Sequence, residues 1–194
     1  LGGTSSPRAP VRFGIPQGSV LGPILYVLYT ADVARIVESF GLKVHLYADD
    51  TQIYGSSSVS RSVELSELLL LVIDRVNDWM SSNRLRLNPD KTEFIWFGTR
   101  HQLSNLNPRS ISVIPSSTSV RDLGVLFDSE LTMEGHISKL CQSCFFQLRR
   151  LRSIRHSLSR HALLTLVHAF ISSRLDFCNS VLYGVSAYLL DRLQ

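Results

Sequence analysis

Two adjacent carboxylates, Asp49 and Asp50, stand between two short strand-like runs, and nothing else in the chain constrains its folding as tightly. Upstream, Leu42-Lys43-Val44-His45-Leu46-Tyr47 alternates apolar and polar side chains and includes β-branched and aromatic residues, the pattern of a half-buried strand. Downstream, Thr51-Gln52-Ile53-Tyr54 reads as a second short strand closed by Gly55. The two are joined by a tight hairpin with Ala48-Asp49 or Asp49-Asp50 at its tip, because Asp tolerates unusual backbone angles and caps its own turn. A hairpin tip holds carboxylates rigidly and leaves them in water. Divalent cations that carry phosphates need that arrangement, since Mg²⁺ takes one or two carboxylates together with waters and phosphate oxygens. Taken alone, an Asp-Asp pair reads more simply as a surface turn.

The residues that change this reading lie upstream. Gly14-Ile15-Pro16-Gln17-Gly18-Ser19-Val20-Leu21-Gly22-Pro23 sets two prolines and three glycines around a Gln and leads straight into an apolar run. Gly14 and Gly18 allow a close backbone approach, and Ser19 is placed to cap the helix beyond it. That helix is predicted over about 19–40, with Leu21, Ile24, Leu25, Leu28, Tyr29, Val33, Ile36 and Val37 as its apolar stripe and Pro23 in its first turn. Free amides at a helix start suit a nucleotide or a nucleic-acid backbone.

With these residues in place, the chain resembles reverse transcriptases, specifically the polymerases of LINE-type (non-LTR) retrotransposons. The loop at 14–23 followed by Tyr-Ala-Asp-Asp carries most of the likeness. Leu87-Asn88-Pro89-Asp90-Lys91-Thr92-Glu93 resembles the family's lysine-bearing palm segment, and Val120-Arg121-Asp122-Leu123-Gly124-Val125-Leu126-Phe127-Asp128 its primer-grip region. Residues 168–179 resemble its thumb. Ordered matches along nearly the whole chain are far more specific than one Asp-Asp turn.

Composition agrees with this and would not have shown it. The 194 residues suffice for one large domain or two small ones with a real core. No apolar run reaches transmembrane length; residues 68–73, for example, are six residues bounded by Glu67 and Asp74. The first ten residues lack a signal-peptide core, so the expectation is an intracellular protein of the nucleus or cytoplasm, with no membrane partner. Three cysteines argue against a disulfide scaffold. The net charge of +4 is unevenly spread. Between Gly135 and Leu175 there is no Asp or Glu, while Lys139, Arg149, Arg150, Arg152, Arg155, Arg160 and Arg174 all fall there. Positive charge concentrated in one module is the footprint of phosphate binding, and a solvated helix face is the plainer alternative.

The chain reads as an α+β part followed by an all-α part. A second helix over 62–81 carries the stripe Leu65, Leu68, Leu69, Val72, Val76, Trp79 and Met80, with its charges mostly elsewhere. A turn at Asn88-Pro89-Asp90 precedes a strand at 92–97, and further strands are expected at 111–114 and 120–127. The polar stretch 98–110 reads as a loop. The expected architecture is two helices on one face of a mainly antiparallel sheet. From about 131 the pattern is helical, through Ile137, Leu140, Cys144, Phe145, Leu148 and Leu151, then Leu163, Leu166, Val167, Phe170 and Ile171.

The resemblance names these parts: a partial palm over 1–130, without fingers or first catalytic strand, and a partial helical thumb over 131–194. It implies that Asp49 is the metal-binding aspartate and Asp50 its neighbour at the metal site. Tyr47 would lie against the primer–template minor groove. Pro16, Gln17 and Gly18 would contact the template base and the incoming nucleotide. Lys91 would sit near the leaving pyrophosphate, although by itself it reads as a surface lysine after a turn. Lys139, Arg149, Arg150, Arg152, Arg155 and Arg160 would track the nucleic-acid backbone. The implied chemistry is attack of a primer 3′-hydroxyl on a deoxynucleoside triphosphate, with an RNA template, a DNA primer and two Mg²⁺ ions, Mn²⁺ being an alternative.

One departure qualifies the expectation. The two-metal site needs a further aspartate from an earlier palm strand, and residues 1–13 contain no acid; Asp32 and Glu38, the only acids before Tyr47, fall in the predicted helix. The resemblance therefore implies a polymerase fragment, inactive on its own, whose missing N-terminal part belongs to the same polyprotein. The alternative is a non-catalytic nucleic-acid-binding remnant of a retrotransposon. Cys141 and Cys144 have zinc-ligand spacing but lie in a helical pattern with no second pair, so buried thiols are the default.

Overall fold

The computed structural model describes residues 18–106 and 116–194. The chain divides into two compact units, one ending at Pro89 and the other beginning at Asp90. No helix among the described residues is long and apolar enough to cross a membrane.

In the first unit, Gly18 takes φ 86° and the Ser19 hydroxyl accepts a 3.1 Å hydrogen bond from the Gly22 N–H, so Ser19 caps the helix three residues ahead of its regular start. Helix α1 spans Gly22–Ser39 with Pro23 in its first turn, and Gly41 at φ 75° comes after its end as a left-handed stop. Its buried face is Thr30, Val33 and Val37. The expected stripe is correct only at its C-terminal end: Leu21, Ile24, Leu25 and Leu28 are exposed. The N-terminal half of α1 is apolar on almost every side, so periodicity could not select a face there. Helix α2 (Ser62–Ser82) buries Leu65, Leu69, Val72, Val76 and Met80, each contributing about 2 kcal/mol. Its buried hydroxyls are both satisfied, Ser66 donating to the Ser62 carbonyl within the helix and Ser62 to the Val59 carbonyl just before it, each at 2.8 Å. Helix α1 packs on α2, where the Tyr29 and Trp79 rings lie 6.3 Å apart and the Tyr29 hydroxyl donates to the Asn83 carbonyl.

Strands β1 (Lys43–Tyr47) and β2 (Asp50–Tyr54) form an antiparallel hairpin in which Tyr47 is paired with Asp50 and Lys43 with Tyr54. In β1, Val44 and Leu46 turn inward while Lys43, His45 and Tyr47 face out, the alternation the sequence predicts. Gly55 closes the hairpin onto α2. A Cβ there would lie 2.8 Å from Leu42 Cδ2 and 3.0 Å from Leu65 Cδ1.

The second unit departs further from expectation. Residues 120–127 are not one strand but a second antiparallel hairpin, β3 (Ser119–Asp122) and β4 (Val125–Asp128). Its two-residue turn places Leu123 at φ 43° and Gly124 at φ 91°, the positive angles a tight hairpin requires. The predicted strand at 92–97 is, among the described residues, a single bridge between Phe94 and Ser116. The expected strand at 111–114 lies outside the described residues. The expected antiparallel sheet is thus, among the described residues, two separate two-stranded ladders. The stretch read as a loop contains helix α3 (Arg100–Ser104), started by a reciprocal capping box between Thr99 and Gln102.

Helix α4 (Glu134–Ile154) organises the rest of this unit. One side joins Ile137 to Val125, Met133, Leu182 and Leu189, the last from helix α7 (Ala187–Asp191); another joins Cys144 and Leu151 to Ile171. Phe145 and Leu148, expected in the core, are exposed. Helix α5 (Arg160–Val167) continues through a π-helical turn, His168–Ser172, into α6 (Ser173–Asp176). The fold is α+β, with small antiparallel hairpins and a helical C-terminal portion.

Candidate functional site

The β1–β2 turn consists of Ala48 and Asp49, with Ala48 at φ 51°, and Asp50 is the first residue of β2. Tyr47, Asp49 and Asp50 are all exposed. Paired directly across the ladder, Tyr47 and Asp50 share one face, and Asp49 projects from the tip beside them. The hairpin thus presents two exposed carboxylates next to an exposed aromatic ring.

Tyr26, which no sequence motif marks, lies close enough to feel this charge. Burial raises the pKa of its phenol and the negative charge of Asp49 raises it further, so Tyr26 stays protonated. It belongs to the buried face of α1 at the spacing Tyr26, Thr30, Val33, Val37, which the dense apolar sequence around it conceals.

The other candidates are spread over both units. Gly18 belongs to the first unit, and a Cβ built there would meet no atom of the described residues within 4 Å. Pro16 and Gln17 lie outside the described residues. Lys91 ends a 3-10 turn, Pro89–Lys91, and is exposed in the second unit. Lys139, Arg149, Arg150 and Arg152 are on α4, Arg155 on the turn after it and Arg160 at the start of α5; all six are exposed. The Arg150 guanidinium lies 5.7 Å from the centre of the exposed Phe146 ring, an arginine–aromatic surface of the kind that binds nucleic acids.

By donor chemistry Asp49 and Asp50 suit Mg²⁺, a hard cation that takes carboxylate oxygens and keeps waters. Among the described residues, no group of three His, Cys, Asp or Glu side chains is placed to hold a metal. Asp32 is ion-paired with Arg35 at 3.0 Å on the exposed side of α1, the solvated position its place in the helix suggests. Cys141 donates to the Arg192 carbonyl while Cys144 is buried against Leu151 and Ile171, so the pair points into two different clusters. Burial raises the Cys144 pKa, and the thiol stays protonated.

A family model described as "Reverse transcriptase (RNA-dependent DNA polymerase)" matches residues 3–127. The chain belongs to the reverse transcriptase family. It is 29% identical over 175 residues to the "Probable RNA-directed DNA polymerase from transposon BS" of Drosophila melanogaster, covering 84% of this chain and 18% of that relative. It is 27% identical over 198 residues to the "RNA-directed DNA polymerase from mobile element jockey" of Drosophila melanogaster, covering 95% of this chain and 21% of the relative. The jockey polymerase of Drosophila funebris is 27% identical over 191 residues, at 93% and 20%. The chain thus spans about a fifth of the length of the curated relatives it matches. No solved structure is a significant match. The matched segment contains the β1–β2 hairpin, the β3–β4 hairpin up to Phe127, the Gly18–Ser19 turn and the Asp49–Asp50 pair.

Proposed function

We propose that the chain is the part of a retrotransposon RNA-directed DNA polymerase that carries the paired-aspartate hairpin of the palm, together with part of a nucleic-acid-tracking thumb. The observation that carries this reading is the exposed presentation of Asp49 and Asp50 at the two-residue turn of a paired hairpin, inside a segment that matches the reverse transcriptase family. In this reading Asp49 and Asp50 hold Mg²⁺, which when bound neutralises phosphate charge and activates the primer hydroxyl. Tyr47 lays its ring along the primer–template groove, and the open backbone at Gly18 admits a nucleotide. Tyr26, kept protonated, supports the Asp49 side of the hairpin. The role of Lys91 rests on the resemblance alone. The substrates are deoxynucleoside triphosphates, an RNA template and a DNA primer.

A second reading, nucleic-acid binding without catalysis, is supported by the exposed Arg149, Arg150 and Arg152 on α4 and the Arg150–Phe146 pair beside them. One experiment separates the two. The chain replaces the matching segment of the Drosophila melanogaster jockey polymerase, and primer extension on RNA is measured with Mg²⁺. The polymerase reading expects products that disappear in Asp49→Asn. A soluble chimaera that binds primer–template and extends nothing would leave only the second reading.

A further inference from the structure

The cations of the acid-free stretch are densest at the end of α4, where Arg149, Arg150, Arg152 and Arg155 fall within seven residues. A hydroxyl stands in the middle of them. The Ser153 side chain is exposed and donates a 2.8 Å hydrogen bond to the Arg150 carbonyl, one turn back. Arg149 and Arg150 precede it by four and three positions, so their side chains lie beside it on the same face of the helix. Leu151, the last buried residue of α4, points the other way, against Ile171.

The regular helix ends at Ile154, one residue after Ser153; a 3-10 turn, Arg155–Ser157, follows, and Leu158 is extended. Residues 152–157 are all exposed. Drawing them into an extended strand breaks backbone hydrogen bonds at a helix end and takes no buried side chain out of the core, so this segment opens at low cost. An enzyme that needs its target hydroxyl on an extended backbone can therefore reach Ser153. The flanking charge selects the kind of enzyme. Kinases choose substrates partly by charge pattern, and Arg150 and Arg152 before the hydroxyl with Arg155 after it suit one whose substrate groove is acidic.

We propose that Ser153 is a phosphorylation site for a serine/threonine kinase that selects arginine-rich segments, and that its phosphate switches off the basic end of α4. The inference rests on the nucleic-acid reading of the chain and concerns how that surface is regulated. In the transfer the Ser153 Oγ attacks the γ-phosphorus of ATP. An Oγ–P bond forms as the bond from that phosphorus to the bridging oxygen breaks, ADP leaves, and the hydroxyl proton passes to a base of the kinase. The product carries about two negative charges and three acceptor oxygens. Arg149 and Arg150 reach it from the preceding turn, with the fork geometry that matches phosphate. The carbonyl end of a helix opposes an anion with about half a charge, and the full charges of the arginines outweigh it. Arginines that hold this phosphate are withdrawn from those of a nucleic acid.

The test treats the full 194-residue chain with ATP, Mg²⁺ and the catalytic subunit of cAMP-dependent protein kinase, an enzyme of this kind, and maps the phosphate by mass spectrometry. Ser153 is expected to carry it, and Arg150→Gln to be modified poorly. Binding of a DNA duplex is then compared across salt, with folding followed by circular dichroism. Phosphorylation should lower the slope of log K against log salt by roughly 1–2 and weaken binding by about tenfold or more at physiological salt. Ser153→Ala, which loses the hydroxyl and gains no charge, should bind as the wild type does, and Ser153→Asp should fall between the two. A folded chain modified only at other serines, or not at all, overturns the site. Modification at Ser153 with an unchanged slope overturns the switch. If the unmodified chain binds no duplex, the nucleic-acid reading falls and takes the switch with it.

Discussion

The Asp128 carboxylate accepts a 2.8 Å hydrogen bond from the backbone N–H of Met133, a residue held at φ 62° immediately before α4. Three more bonds converge on the same carboxylate, from the Glu130 and Thr132 amides and the Thr132 hydroxyl. Asp128 therefore ties the end of β4 to the start of α4 and supports the left-handed turn between them. Burial would push its pKa up, but these hydrogen bonds outweigh burial and hold it below the ordinary 3.8.

Asp128→Ala is expected to cost about 2 kcal/mol, since it removes a charged acceptor and orphans several amides. A depressed folded pKa means that the carboxylate's contribution is complete above the unfolded value and is lost as pH falls through the folded one. Chemical denaturation at neutral pH should separate wild type from Asp128→Ala, and the gap should close below pH 3.8. A constant gap down to strong acid would show that the charge is not what matters.

His136 titrates in the opposite sense to a paired histidine. Burial lowers its pKa first and the nearby Arg121 lowers it further, while Nδ1 must stay unprotonated to accept from Leu126. The folded state then binds fewer protons than the unfolded chain. Stability is complete above pH 6.5 and declines as pH falls from there toward the folded pKa. An NMR titration of the His136 ring should place its midpoint below 6.5. In Arg121→Gln the midpoint should rise, and an unmoved midpoint would rule out the Arg121 field as a cause.

How much of the fold was legible in the sequence depended on whether one physical signal acted alone. The β1–β2 hairpin was readable because alternation and turn chemistry agree around Ala48 and Asp49, and α2 because its charges leave a clear apolar stripe. The start of α1 was not, since Leu21, Ile24, Leu25 and Leu28 are apolar yet exposed while Tyr26 and Thr30 continue the buried face. The Leu123–Gly124 turn was hidden by apolar residues on both sides, although a glycine two residues after Asp122 is a turn signal. Thr99 and Gln102 spelled a capping box inside a stretch whose polarity suggested a loop. Asp49 and Asp50 could be found by motif.

Asp49→Asn tests the hairpin from two sides. The field of Asp49 helps to raise the Tyr26 pKa above 10.0, so the substitution should lower the Tyr26 titration midpoint part of the way back, the rest being burial. With two carboxylates and no third ligand among the described residues, the isolated chain should bind Mg²⁺ at about millimolar level or more weakly and extend no primer. On the proposed two-metal reading, an absent bridging ligand would remove several kcal/mol of transition-state stabilisation, each 1.4 kcal/mol being about tenfold in rate. Primer extension by the purified chain, abolished in Asp49→Asn, would show that another group completes the site.

The basic end of α4 gives a separate prediction. Arg149, Arg150 and Arg152 are exposed, and none is paired with an acid among the described residues. If they contact duplex phosphates, binding should be independent of sequence, with each arginine adding about 0.9 to the slope of log K against log salt on B-form DNA. Replacing all three with Gln should flatten that slope by roughly 2–3 units. The melting temperature should hardly move, because surface substitutions away from packed contacts cost little. The slope should not vanish, since Lys139, Arg155 and Arg160 stay exposed on the same helical region. An unchanged slope in the triple variant would make these arginines a solvated face, with duplex binding carried by other parts of the chain.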